Sequence, residues 1–86
     1  MTITNPSVTT TTLADEVLDS REVSCPLPII QTSQAMAALT SGQTLLVLAS
    51  DRGFEPDIKA WASRTGNLLL SSEWHGNELH VLLRKA

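Results

Sequence analysis

The segment from Leu45 to Ala49 reads Leu-Leu-Val-Leu-Ala and contains no polar side chain. A short apolar run of this kind, bounded by turn-forming residues, is typical of a strand that is buried inside a sheet. Asp51, Arg52 and Gly53 follow the run and interrupt it. Because a buried strand needs neighbouring strands and a covering layer, this segment predicts a central strand around which the rest of the chain is organised.

Two amphipathic segments flank the central run and predict helices. The first, residues 26–40, starts with Pro26 and Pro28, which a helix tolerates in its first turn. Its predicted inner face is an arc of small and apolar residues, Ile29, Ile30, Ser33, Met36 and Ala37. The second runs from near Glu55 to about Thr65, with Ile58, Trp61, Ala62 and Thr65 on one face. Glycines after the two segments predict helix ends, at Gly42 and Gly66.

Three further segments have strand patterns. Residues 17–23 alternate with mixed polarity, which indicates an edge strand. Residues 68–74 and 78–84 flank His75-Gly76-Asn77, a turn sequence that predicts a hairpin. The order is therefore β-α-β-α-β-β. One sheet and two amphipathic helices predict the α/β class, as a two-layer α/β sandwich with a four-stranded mixed sheet and both helices on one face.

The length of the chain favours a single small domain, and its cysteine content favours a reducing compartment. The chain has 86 residues, a formal charge of −3 and one cysteine. We assign residues 15–86 to one domain and the threonine-rich, uncharged residues 1–14 to a flexible tail, with a short extra strand as the alternative for residues 1–14. A lone cysteine predicts a cytoplasmic protein, and no apolar stretch is long enough to span a membrane. The acidic balance and scattered basic residues argue against direct binding of nucleic acid.

The lone cysteine, Cys25, lies between the first predicted strand and the first predicted helix. Its position before two prolines predicts that it caps a helix beginning at Pro26. There the helix dipole and the N–H groups of Leu27 and Ile29 would stabilise a thiolate. An exposed helix terminus contributes roughly 0.3–1 kcal/mol, which predicts a pKa lowered by less than about one unit. The alternative is a buried cysteine that acts as a small apolar residue.

The other polar candidates have simpler interpretations. Asp51 follows the central strand and is expected to cap a turn or helix start, with partner docking as the alternative. Asp57 falls in the first turn of the second helix, where negative charge is favourable. His75 and His80 have no second cysteine or carboxylate at ligand spacing, so we expect no metal site. Without a Cys-x-x-Cys pair, thioredoxin-like dithiol chemistry is excluded, and no cofactor motif is present.

Several residues occur in an order and spacing that resemble the TusA/SirA family of small sulfur carriers. The resemblance covers Val17 to Arg84, and its most specific element is Cys25-Pro26-Leu27-Pro28. The supporting marks are Leu18-Asp19, Gly42, Asp51, Asp57-Ile58, Trp61 and Gly66.

The resemblance implies a persulfide on Cys25, with Pro26, Pro28, Asp51 and Asp57 as motif or supporting residues. It implies donors that are cysteine desulfurases or rhodanese-like proteins. It also implies acceptors in tRNA thiolation, molybdenum-cofactor metabolism or sulfur oxidation. Many members of the family have a basic residue early in the first helix and glycine at the position of Glu22. This chain has Gln31, Ser33 and Gln34 in the helix, so the surroundings of Cys25 are less positive.

Two classes of function therefore stand side by side. The first is a sulfurtransferase-type persulfide carrier that uses no metal or organic cofactor and works as a monomer, with a weak dimer as the alternative. The second is a noncatalytic interaction or regulatory domain of the same fold, in which Cys25 senses redox state or is inert. A third class, an RNA-binding module, is disfavoured by the acidic charge and the low aromatic content.

Overall fold

The computed structural model describes residues 14–86, and the element order is the predicted β-α-β-α-β-β. Its elements are β1 (Glu16–Ser20), α1 (Leu27–Ala37), β2 (Thr44–Ala49), α2 (Phe54–Thr65), β3 (Leu68–His75) and β4 (Glu78–Arg84). The strands form one sheet in the order β1-β2-β4-β3. β1 is parallel to β2, and the β2–β4 and β3–β4 pairs are antiparallel. The predicted mixed four-stranded sheet is confirmed.

Both helices cover the same face of the sheet. In the β2–β4 register Leu45 pairs with Leu83 and Val47 pairs with Val81, so alternate residues of both strands point towards one side. These residues form one buried cluster with Met36 of α1 and with the inner residues of α2, which are Phe54, Ile58, Trp61 and Ala62. Burial of this apolar face holds the two layers together and confirms the two-layer sandwich.

The first helix differs from its prediction in extent and in rotation. It begins at Leu27 and ends at Ala37, and the last turn tightens where Ala38 donates a hydrogen bond to the carbonyl of Ala35. Its buried residues are Pro28, Thr32 and Met36, a row at four-residue spacing. The predicted inner arc is therefore wrong for Ile30, Ser33 and Ala37, which are exposed.

The first strand is shorter than predicted. It ends at Ser20 because the chain turns at Arg21 and Glu22, where the Val23 N–H donates to the carbonyl of Ser20 at 3.3 Å. Glu22 has a φ of 66°, in the left-handed region. The predicted hairpin is confirmed, with Gly76 at a φ of 64° in its turn.

The remaining predictions concern the chain's first residues and the membrane. The predicted tail, residues 1–14, lies outside the described residues except for Ala14. From residue 14 onwards, neither helix has the length and apolar character that crossing a membrane requires.

Candidate functional site

Cys25 lies in the loop that joins β1 to α1, directly before the start of the helix. Pro26 is the N-cap residue and Leu27 is the first helical residue, so the prediction that Cys25 caps a helix beginning at Pro26 is wrong by one position. The peptide bond between Cys25 and Pro26 is cis. The Cys25 side chain is half-buried and packs against the edge of the apolar core. The thiol is therefore neither sealed in the interior nor fully exposed.

Asp51 fastens the loop that carries Cys25. One carboxylate oxygen accepts a hydrogen bond from the Cys25 N–H at 2.9 Å, and the other accepts one from the Gly53 N–H at 2.8 Å. The second bond is the turn-capping role predicted for Asp51, whereas the bond to Cys25 was not predicted. Hydrogen bonds to the charged form favour it, so the bonds from Cys25 and Gly53 lower the pKa of Asp51. An ionised carboxylate therefore stands beside the cysteine.

Asp57 brings a second carboxylate to the same thiol. It lies in the first turn of α2, and its charge acts on the thiol of Cys25. Burial, then the charge of Asp51, then the charge of Asp57 raise the pKa of Cys25 to about 11. The predicted lowering of this pKa is wrong, because burial and then two carboxylates, one from the loop before α2 and one from its first turn, favour the neutral thiol.

The backbone donors expected at Cys25 are engaged elsewhere. The Leu27 N–H donates to the carbonyl of Ser24 at 3.0 Å, and the Ile29 N–H donates to the carbonyl of Pro26 at 3.1 Å. The prediction that these two groups point towards the sulfur is therefore wrong. Their bonds close the first turns of α1, so they do not offset the two carboxylates.

The polar residues that make the surroundings of Cys25 less positive than the resemblance predicted have distinct environments. Gln31 accepts a hydrogen bond from the hydroxyl of buried Ser20 at 2.6 Å, which ties α1 to the end of β1. Ser33 and Gln34 are exposed. Glu22 donates its N–H to the hydroxyl of Ser50 at 2.7 Å, which joins the turn after β1 to the end of β2. None of these four positions carries positive charge.

Arg21 is paired with carboxylates. Its guanidinium contacts Asp19 at 2.8 Å and Glu78 at 3.0 Å. The bonds from Arg21 lower the pKa of Asp19 to about 2, and the same contacts raise the pKa of Arg21. Its charge is thus balanced locally and is not among the groups that act on the thiol of Cys25.

Two other cations near the start of α2 are also engaged. The Arg52 guanidinium lies 4.7 Å from the ring centre of Trp74, in a cation–π contact. Lys59 Nζ lies 3.7 Å from Glu55. Glu55 also accepts hydrogen bonds from Trp74 Nε1 at 3.0 Å and from the Ser72 hydroxyl at 2.8 Å, and these bonds lower its pKa. Glu55 therefore anchors α2 to β3 rather than facing a partner.

Sequence reasoning missed an exposed apolar pair next to the cysteine. Leu27 is 52% exposed and Ile30 is 47% exposed. They are three positions apart in α1 and so lie on the same side of the helix, outside the buried row that contains Pro28. The sequence carries no clear signal of this pair, because the apolar pattern assigns Ile30 to the inner face of the helix and the row of Pro28, Thr32 and Met36 is not uniformly apolar.

The two histidines lie in the hairpin. Their rings stack with centres 4.2 Å apart, and each has a glutamate two positions away, Glu73 for His75 and Glu78 for His80. Over residues 14–86, no three His, Cys, Asp or Glu side chains are grouped so as to hold a metal ion.

Comparison with known proteins finds relatives that match most of the chain. The family model described as Sulfurtransferase TusA matches residues 16–85. The chain is 40% identical over 72 residues to the sulfur carrier protein TusA of Allochromatium vinosum, which covers 84% of this chain and 95% of that protein. It is likewise 40% identical over 72 residues to the putative sulfur carrier protein YrkI of Bacillus subtilis, with 84% and 96% covered.

A longer relative matches over the same extent. The chain is 42% identical over 72 residues to a putative sulfur carrier protein of Aquifex aeolicus, and the match spans 84% of this chain but only 36% of that protein. The family model accounts for every described strand and helix from β1 to β4. The chain belongs to the TusA family of sulfur carrier proteins.

Proposed function

We propose that this chain carries sulfane sulfur as a persulfide on Cys25, taking it from a donor protein and passing it to an acceptor protein. The observation that carries the proposal is the half-buried thiol at the mouth of α1, in a loop that Asp51 fastens. The names of the TusA-family relatives support the general role of a sulfur carrier. The donors that fit are cysteine desulfurases and rhodanese-like proteins, whose product is a protein-bound persulfide.

Loading is an exchange at sulfur. The Cys25 thiol loses its proton, and its thiolate attacks the terminal sulfur of the donor persulfide. A new sulfur–sulfur bond forms on Cys25, the old bond breaks, and the donor thiolate leaves with the electron pair and takes up a proton. Discharge repeats these steps with an acceptor thiolate as nucleophile and Cys25 as leaving group. No metal, organic cofactor or external oxidant enters the balance.

The raised pKa makes both steps slow in the isolated protein. Relative to a thiol of ordinary pKa 9.0, a pKa of about 11 reduces the thiolate fraction at neutral pH about a hundredfold. Thiolate nucleophilicity rises with pKa with a slope of about 0.4–0.5, so the net loading rate falls about tenfold. A more basic thiolate is also a poorer leaving group. The free protein is thus suited to hold its sulfur rather than release it to small thiols.

Mass spectrometry tests the proposal directly. Incubation with polysulfide, or with a cysteine desulfurase and cysteine, should add one sulfur atom to the intact chain. Cyanide should then remove that sulfur as thiocyanate. Cys25→Ser is the matched control and should show neither change. If the wild-type chain gains no sulfur from any of these donors while its thiol remains titratable, the proposal fails.

A second candidate function, a noncatalytic interaction domain with an inert cysteine, is consistent with the same environment of the Cys25 thiol. A half-buried thiol with a pKa of about 11 is also what an inert cysteine in a noncatalytic interaction domain would show. The two functions differ in whether the sulfur can be reached. A carrier gains a persulfide under conditions in which an inert cysteine remains a free thiol, and the mass experiment separates them.

We also place the carrier in the cytoplasm and expect it to act as a monomer. The reason for the compartment is the single unpaired cysteine, which a reducing environment preserves. The pathway it feeds, whether tRNA thiolation, molybdenum-cofactor metabolism or sulfur oxidation, is set by the acceptor.

A further inference from the structure

We infer that the surface around Cys25 docks a partner segment that presents an apolar side chain flanked by arginine or lysine. We call this the docking surface, and it consists of Cys25, Leu27, Ile30, Asp51 and Asp57. The inference rests on the proposed function, since it concerns the partner that delivers or removes the sulfur.

The apolar half of the docking surface is formed by Leu27 and Ile30. Both side chains are about half exposed, at 52% and 47%, whereas the inner row of α1, which is Pro28, Thr32 and Met36, is buried. Leu27 is two residues beyond Cys25, and Ile30 is one further turn along the same side of the helix. An exposed apolar pair beside a reactive group is a feature of interaction sites. A partner's apolar side chain can bury this pair as its sulfur approaches Cys25.

The charge of the docking surface is negative. Asp51 accepts a hydrogen bond from the Cys25 N–H at 2.9 Å, and the first turn of α2 adds Asp57, whose charge also acts on the thiol. Arg52 and Lys59 are engaged by Trp74 and Glu55. In the part of the chain that the structure describes, no cation is among the groups that act on the Cys25 thiol.

This arrangement selects the charge of the partner. An acidic partner would place a third negative charge beside a sulfur that must itself become a thiolate. A guanidinium or ammonium group, in contrast, is attracted by Asp51 and Asp57 and favours the charged form of Cys25. A partner that docks with such a group supplies positive charge beside Cys25. Sulfur transfer with that partner is then accelerated, whereas the free carrier reacts slowly with other thiols.

Two peptides that differ only in the sign of their charge test the inference. Each peptide contains one leucine and one cysteine activated as a mixed disulfide with 5-thio-2-nitrobenzoate, flanked by arginines in one peptide and glutamates in the other. The Cys25 thiolate attacks the peptide sulfur, a new disulfide forms, and thionitrobenzoate leaves with the electron pair while the Cys25 proton passes to solvent. Dividing each rate by that of the peptide with 2-mercaptoethanol removes differences in intrinsic reactivity.

At low salt the arginine peptide should react at least about tenfold faster than the glutamate peptide, and salt should reduce the ratio. Asp57→Asn should also reduce the ratio, whereas Glu16→Gln, at the opposite end of β1, should leave it unchanged. Replacing leucine by glycine in the arginine peptide, or Ile30→Ala in the protein, should slow the reaction. The use of a ratio cancels any change that Asp57→Asn makes to the thiol itself.

The inference is overturned if the glutamate peptide reacts as fast as the arginine peptide, if Asp57→Asn leaves the ratio unchanged, or if neither peptide reacts. Persulfide loading from polysulfide is measured in parallel on the same samples. Normal loading without charge selectivity rejects the docking surface alone, whereas absence of loading rejects the carrier function.

Discussion

Replacing Asp57 by asparagine is expected to make Cys25 more acidic. The pKa of Cys25 rises from 9.0 to about 11, first through burial, then through Asp51, then through Asp57. Asp57→Asn removes one carboxylate charge but leaves burial and Asp51 in place. The reversal is therefore partial, and we expect the pKa to fall by about one unit.

One pKa unit corresponds to about a tenfold change in the thiolate fraction at neutral pH. Because the thiolate also becomes less nucleophilic, with a slope of about 0.4–0.5, the rate of reaction should rise about threefold. The assay is alkylation by iodoacetamide, followed by intact mass, from neutral to strongly alkaline pH. The midpoint of the rate profile gives the pKa of Cys25 in each variant.

The control is Glu16→Gln, which removes one carboxylate at the far end of β1 and should leave the midpoint unchanged. Thermal melting by circular dichroism checks that Asp57→Asn stays folded, since a carboxylate in the first turn of α2 also favours the helix. A folded Asp57→Asn variant whose midpoint equals or exceeds that of the wild type would refute the assignment of Asp57 to the thiol.

Two substitutions away from the thiol should stabilise the fold. Glu22→Gly should raise the free energy of unfolding by about 0.5–1 kcal/mol, because a φ of 66° strains a side chain while the N–H bond to Ser50 is kept. Thr32→Val should raise it by about 1 kcal/mol, because the Thr32 hydroxyl is fully buried without a hydrogen-bond partner. Each should increase Tm by several degrees, about 4–8 °C per kcal/mol for a domain of this size. A decrease in Tm would show that the turn is not strained in the first case, or that the hydroxyl is satisfied in the second.

The order of elements could be predicted because each element has a local signal. The apolar run of Leu45 to Ala49 is buried in the centre of the sheet, and Gly76 turns the hairpin in the left-handed conformation. Hydrophobic periodicity and turn-forming residues predict helices, strands and turns from a few neighbouring residues. These predictions need no knowledge of tertiary contacts. The position of Cys25 between β1 and α1 follows from the same local signals.

The rotation of α1 could not be predicted in the same way. Assigning apolar residues to the inside places Ile30 in the core, but the structure buries Thr32 and exposes Ile30. An apolar side chain that binds a partner must face solvent in the free protein. At such a position the apolar pattern of the sequence does not predict which residues are buried. Ile30 is such an exception, and it belongs to the surface that we propose for partner docking.

The acidity of the thiol depends on contacts that no local rule contains. Asp51 is 26 positions from Cys25 in sequence, and its carboxylate reaches the Cys25 N–H only because β1 and β2 are adjacent and parallel. Parallel pairing brings the carboxyl ends of both strands, and the starts of both following helices, to one edge of the sheet. The positive end of α1 is thus offset by carboxylates from the loop before α2 and from its first turn. This arrangement stabilises the neutral thiol in the free protein, and it is the reason for our inference that a docking partner supplies positive charge to Cys25.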